Sequence, residues 1–244
     1  MAFCKITLNT NNGTSRVCIY NEGCNFNCLG CAYKMKSRSG RPAKGGLERE
    51  KIVRILAELK PGRVHFIGGE PTLNPDLVRI ARFAHEDLGA ITKIGHTNGS
   101  GRIPEFIDEA NFSIKAYDEQ LHRMYTGISN RQVLSNFADA YKRGIKLEAG
   151  TVMIPGLVSV EEIGRIAEFV AGLDRSISLH ITGYIPVPGS PWRSPTASEM
   201  EEAMHAAQRH LDRISGRLLD THGFNELRFK DPSFNSTEVA CTSL

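Results

Sequence analysis

The stretch Gly23-Cys24-Asn25-Phe26-Asn27-Cys28-Leu29-Gly30-Cys31-Ala32-Tyr33 concentrates three thiols within eight residues, in the spacing C-x3-C-x2-C. Thiolates held that close on one loop can ligate three irons of a cubane [4Fe–4S] cluster. With no fourth cysteine beside them, one iron keeps an open coordination position. An open iron is a place for chemistry rather than for electron storage alone. A structural zinc site needs four closed ligands, commonly as two paired knuckles. The other cysteines, Cys4, Cys18 and Cys241, have no cysteine or histidine partner at ligand spacing. A disulfide framework belongs to small secreted domains, which this chain does not resemble.

Length and composition set the frame around that loop. A chain of 244 residues fits one large domain, able to bury about 70–75% of its extended surface. Hydrophobic content of 41% and charged content of 23% are those of an ordinary globular protein, and a net charge of +3 does not by itself argue for nucleic acid. No apolar run reaches about 18 residues, so no membrane span is expected. The start Met-Ala-Phe-Cys-Lys-Ile-Thr-Leu lacks the pattern of a secretion signal. Cysteines poised for iron point to a reducing cytoplasm, and oxygen would attack an open-iron cluster, so an anaerobic or protected setting is expected; a monomer is expected as well.

Strand and helix signals alternate along the chain. A short strand is expected at 4–8 and a first buried strand at 16–20, which delivers the cysteine loop. Residues 34–46 carry Lys34, Lys36, Arg38, Arg41 and Lys44 with several glycines and no acid, the composition of a basic surface loop. Helices are expected at 47–59, from the Asn74-Pro75 cap onward, at 103–109, 130–143, 160–172 and 197–215. Strands are expected at 63–67, 91–96, 112–117, 146–154 and 177–185. Six parallel strands with intervening helices describe an α/β fold, a partial (β/α)6 TIM-type barrel spanning 1–216, with a doubly wound sheet as the alternative. Residues 217–244 are expected as a C-terminal extension packing on the barrel.

Ligands gather at the C-terminal strand ends of such sheets. Those ends here carry the three cysteines, then Gly68-Gly69-Glu70-Pro71-Thr72, His96-Thr97-Asn98-Gly99, Lys115, residues 153–156 and Tyr184. Paired glycines let backbone carbonyls approach a ligand closely and accept from an ammonium group.

C-x3-C-x2-C after one strand with G-G-E-P after the next resembles the radical S-adenosylmethionine (SAM) superfamily, over nearly all of the chain. The resemblance implies that Cys24, Cys28 and Cys31 hold a [4Fe–4S] cluster whose open iron chelates the methionyl amino and carboxylate groups of SAM. It further implies reductive cleavage of SAM to a 5′-deoxyadenosyl radical, which abstracts hydrogen from the substrate. No side chain of the protein then acts as the catalyst; the cofactors do. The SAM pocket expected on this basis comprises Tyr33, Gly68, Gly69, Glu70, Pro71, Thr72, His96, Asn98, Lys115, Met153 and Tyr184, with Lys115 near the carboxylate.

Within the superfamily the chain is most similar to glycyl radical enzyme activases such as pyruvate formate-lyase activating enzyme. The run 113–130 looks like their D-L-K segment with its downstream G-x-S-N, Val152-Met-Ile-Pro-Gly156 like their V-V-P-G, and Tyr184…Gly189…Trp192 like their Tyr…Gly…Trp. Ser113 and His96 stand where those activases carry carboxylates for a monovalent cation, so no such cation site is expected, and His96 is free to donate to SAM or substrate. Gly150 and Ile185 replace an arginine and a histidine. Gly30 makes the loop more like that of anaerobic ribonucleotide reductase activases. The implied partners are a flavodoxin or ferredoxin reductant and a glycyl radical enzyme. A small metabolite or RNA as substrate is the alternative. A non-catalytic electron carrier is disfavoured, since carriers cluster four cysteines and need no G-G-E-P turn.

Overall fold

Ala2–Asn11 (β1) and Thr14–Glu22 (β2) form an antiparallel pair that opens the sheet. The computed structural model describes residues 1–11, 14–32, 45–218 and 235–242. From β2 the sheet continues in parallel through Arg63–Ile67 (β3), Ile91–Thr97 (β4), Glu109–Ser113 (β5), Lys146–Met153 (β6), Ser178–Gly183 (β7) and Ile214–Arg217 (β8). Asn235–Cys241 (β9) pairs antiparallel with β1, giving the order β8-β7-β6-β5-β4-β3-β2-β1-β9. The order never reverses, so there is no switch point of the doubly wound kind. Among the described residues β8 and β9 remain at opposite edges, and the sheet is an unclosed barrel.

Helices follow most strands: Arg49–Leu59 (α1), Leu77–Arg82 (α2), Glu119–Thr126 (α3), Arg131–Lys142 (α4), Val160–Ala171 (α5) and Ala197–Gln208 (α6). Ser159 and Thr196 cap α5 and α6 through their side chains, and Thr196 with Glu199 forms the complete capping box. Among the described residues no helix is long and apolar enough to cross a membrane.

Three expectations are corrected. The parallel strands number seven rather than six, because the helix expected at 197–215 stops at Gln208 and residues 214–217 form β8. That strand, Ile-Ser-Gly-Arg, has one apolar residue and shows no period; it also crosses the boundary expected at 216/217. Residues 103–109 are not a helix. Ile103 and Ile107, four apart and both buried, mimic helical spacing. In fact Phe106 has φ of 64° and Asp108 accepts from Thr92 N at 2.8 Å, which pins an irregular crossover to β4. Helix α3 lies inside 113–130; Asp118 caps it by accepting from Leu121 N at 2.8 Å.

Alternation within the strands separates two faces. Val64, Phe66, Ile94, Ala110, Phe112, Ala149, Leu179 and Ile181 are essentially fully buried in the main core. The half-buried residues between them are largely polar: Arg63, His65, Lys93, Asn111, Glu148 and His180. Charge in such a place needs partners. Arg63 reaches Glu109 at 2.6 Å, and Lys93 reaches Glu148 at 2.8 Å and Glu109 at 3.7 Å. The barrel therefore has an apolar outer layer and a polar interior.

Phe137 of α4 is fully buried and packs edge-on against Phe112 at 5.0 Å. Phe137→Ala is expected to destabilise the chain by about 3–5 kcal/mol, read as a lower urea midpoint at unchanged slope.

Candidate active site

The cysteine loop leaves β2 at Glu22 and lies against the C-terminal end of α3. Asn27 N donates to Thr126 O at 3.1 Å and Leu29 N to Tyr125 O at 3.0 Å, satisfying carbonyls that a helix end leaves unpaired. Phe26 is buried edge-on against His122 at 5.6 Å. A Cβ on Gly30 would lie 2.8 Å from the Tyr184 ring and 2.9 Å from the Tyr125 hydroxyl. The space beside the third cysteine is thus filled by aromatic side chains from elsewhere, which accounts for a glycine there. Cys24 is exposed, Cys31 half-buried and Cys28 buried. Cys24 Sγ accepts from Phe26 N at 3.4 Å and from Asn98 Nδ2 at 3.5 Å.

The Gly68–Pro71 turn packs directly on the entry to this loop. Glu70 N donates to Gly23 O at 2.9 Å. Gly69, at φ of 45°, approaches so closely that a Cβ would stand 2.1 Å from that same oxygen. Asn21 Nδ2 donates to both Gly23 O and Glu70 O at 3.2 Å, and Asn74 Nδ2 donates to Asn21 Oδ1 at 2.8 Å. The Glu70 carboxylate turns inward. It is fully buried and accepts from Thr72 N, Thr72 Oγ1, Thr97 Oγ1 and Asn98 N. Burial raises its pKa, with those four donors opposing.

Burial raises the pKa of Cys24, and pushes that of Cys28 up to about 11 against the opposing charge of Lys115. Lys115 makes no ion pair among the described residues. His96 opens onto the barrel interior but is walled by protein; desolvation and then the ammonium of Lys115 lower its pKa to about 4. His65, deeper in the same interior, is lowered to about 3 by burial and then Arg16. Both are neutral at physiological pH.

Of the residues singled out from the sequence, the three cysteines, Gly68–Pro71, Thr72 and Asn98 form one hydrogen-bonded neighbourhood, and Lys115 lies within electrostatic reach of Cys28 and His96. Met153 is buried, its carbonyl accepting from Tyr184 N at 3.0 Å. The Tyr184 hydroxyl is engaged by Ser190 Oγ at 2.6 Å and Val187 N at 3.2 Å, so this residue forms part of the wall behind Gly30. Tyr33 and most of the basic segment, residues 34–44, lie outside the described residues. Sequence reading missed Asn21 and Tyr125, and it read Asn74 only as a helix cap. Asn21, two residues before the loop, had a positional signal; the partners of the others are remote in the chain.

A family model described as "Radical SAM superfamily" matches residues 18–170. The chain belongs to the radical SAM superfamily. It is 29% identical over 84% of its length to a Methanocaldococcus jannaschii protein provisionally described as a glycyl-radical enzyme activating enzyme, 82% of which is covered. It is 22% identical, again over 84% of its length, to the GTP 3′,8-cyclase of Chlorobaculum tepidum, of which it spans 64%. The fold matches a radical SAM methyltransferase from Sphaerobacter thermophilus with a TM-score of 0.62 at 19% identity, covering 87% of this chain and 69% of that one.

Radical SAM proteins use a [4Fe–4S] cluster and SAM. Among the described residues no three His, Cys, Asp or Glu side chains converge on one metal-ion position. Thiolates that ligate three different irons of a cubane need no such convergence, and three soft donors on one loop suit iron–sulfur ligation. The donor set fits.

Two outcomes are expected. Gly69→Ala should disrupt the Gly23 contact and lower both the urea midpoint and the iron content after reconstitution, whereas Gly164→Ala, within α5 and with its nearest neighbour Ala206 Cβ at 4.0 Å, should leave iron content unchanged. The metal-free chain should lose stability as pH falls from about 6.5 towards 4. The unfolded chain protonates its histidines there, while folded His65 and His96 stay neutral. Thermal midpoints at pH 7 and 5 measure this, and His96→Gln should shrink the difference.

Proposed function

We propose that this chain is a glycyl radical enzyme activase. Cys24, Cys28 and Cys31 hold the cluster, and the bare backbone of Gly68 and Gly69 receives the SAM amino group beside it. When bound, cluster and SAM together supply a 5′-deoxyadenosyl radical that takes hydrogen from a glycine Cα of the partner protein. Lys115, a cation near Cys28 without an ion-pair partner among the described residues, neutralises the SAM carboxylate. Asn98 orients the loop through Cys24 and Asn25, and Tyr184 and Tyr125 exclude water behind Gly30. His96 stays neutral and faces the incoming substrate. A flavodoxin or ferredoxin delivers the electron in a reducing cytoplasm, and the chain acts as a monomer.

The observation that carries the radical SAM chemistry is the direct contact of the two motifs at Gly23. The activase subtype is supported by similarity to the M. jannaschii protein over most of both chains. A second reading, a small-molecule or RNA substrate, is favoured by the polar barrel interior and by similarity to the C. tepidum cyclase.

Anaerobic reconstitution should load about four irons per chain, and incubation with SAM and dithionite should release 5′-deoxyadenosine. A loaded, reduced protein that leaves SAM intact would sink the proposal. Mixing with a glycyl radical enzyme should produce a glycyl doublet in the electron paramagnetic resonance spectrum. Deuterium reaching 5′-deoxyadenosine from a labelled metabolite would decide for the second reading.

A further inference from the structure

Cys4 and Cys241 have no part in the proposed cofactor site, yet they meet where β1 pairs with β9. Lys5 stands opposite Cys241 and Ile6 opposite Ala240. The ladder continues past Cys241, because Thr242 N donates to Cys4 O at 2.8 Å and Thr242 Oγ1 reaches the same carbonyl at 3.3 Å. In an unbroken strand Cys4 and Lys5 would point to opposite faces, leaving Cys4 and Cys241 on different sides of the sheet.

A bulge changes that. The β1–β2 register shifts between Phe3, opposite Asn21, and Lys5, opposite Tyr20, so Cys4 is the extra residue. Burial bears the consequence out: Phe3 and Ile6, three apart, are both in the core at 2% and 0% exposure, a spacing that strict alternation forbids. Cys4 and Lys5 between them both stand off that core. Ala240, opposite Ile6, is buried with it, and Cys241 takes the other side with Lys5. The Cys4 thiol lies 3.5 Å from the carbonyl of Tyr20, over whose ring Lys5 Nζ sits at 5.8 Å. After burial and Glu22, Cys241 contributes to raising the pKa of Cys4, as a thiol close by does.

We infer that Cys4 and Cys241 form a reversible disulfide joining the N-terminal strand to β9, an oxidation site independent of the proposed activity. The oxidant is a low-molecular-weight disulfide. Cys241 is the exposed thiol and reacts first. Its thiolate attacks one external sulfur, the external S–S bond breaks, and one thiolate leaves and takes up a proton. The half-buried Cys4 then loses its proton and attacks the Cys241 sulfur, expelling the second external thiol. Two electrons and two protons pass from the pair to the oxidant. Cys4 follows Phe3, the register partner of Asn21, and Met1 packs 3.2 Å from where a Cβ of Gly23 would lie. The bridge therefore anchors the strand that borders the cysteine loop.

The test treats the anaerobically reconstituted full chain with oxidised glutathione and maps its peptides without reduction. A Cys4–Cys241 linked pair, lighter than the two peptides by two hydrogens, is expected, with the thermal midpoint raised by roughly 5 °C or more and restored by dithiothreitol. Cys4→Ser should trap glutathione on Cys241. Cys241→Ser, a change at an exposed position, should leave Cys4 unlinked and abolish the shift. Free thiols at both positions, stable glutathione on each, or linkage of either to Cys24, Cys28 or Cys31 instead would overturn the inference.

Discussion

One hydrogen bond, from Glu70 N to Gly23 O, joins the two halves of the site. Its geometry requires backbone to approach backbone, and the missing Cβ of Gly69 permits that approach. Everything around the contact fixes its position. Asn21 spans both sides of it, Asn74 holds Asn21, and the Glu70 carboxylate is drawn inward by donors from its own turn and from the end of β4. A loop between strands is ordinarily free to drift. Here it is tied at its start to β3 and β4 and at its middle to the end of α3.

The sheet explains why those ties are available. Parallel strands in simple sequential order put the ends of β2, β3 and β4 side by side, so three successive loops share one rim. The crossover between β4 and β5 is irregular, held by Asp108 on Thr92 rather than by a helix, and it leaves Asn98 and Ser100 free to reach Asn25. Below that rim the interior is polar. Its ion pairs offset each other locally, and His65 and His96 stay neutral first because burial disfavours their charged form and then because nearby cations oppose a further positive charge.

Much of this was legible in the chain. Apolar runs marked the buried strands, capping residues marked α5 and α6, and the cysteine and glycine motifs marked the rim. What could not be read has a common physical origin. Strand β8 has too few apolar residues to show a period, and Ile103 and Ile107 repeat at helical spacing in a segment shaped by Phe106 and Asp108. The inward turn of Glu70 depends on partners up to 28 residues away. The position of Gly30 makes sense only once Tyr125 and Tyr184 are seen against it. Local patterns carry the elements; contacts distant in sequence decide which way a side chain points.

The loop is shaped before any charge is placed on it. Burial raises the pKa of Cys24 and Cys28, and at Cys28 the charge of Lys115 only partly offsets it, so charge does not arrange the loop in the metal-free chain. The arrangement rests instead on neutral contacts: helix-end carbonyls, an aromatic wall and a glycine turn. Loading soft metal ions onto such a loop costs proton release more than rearrangement, since thiols must be deprotonated to become ligands. The spacing of the three cysteines is then a property of the fold, and a metal bound there would supply the charge compensation that the protein alone withholds.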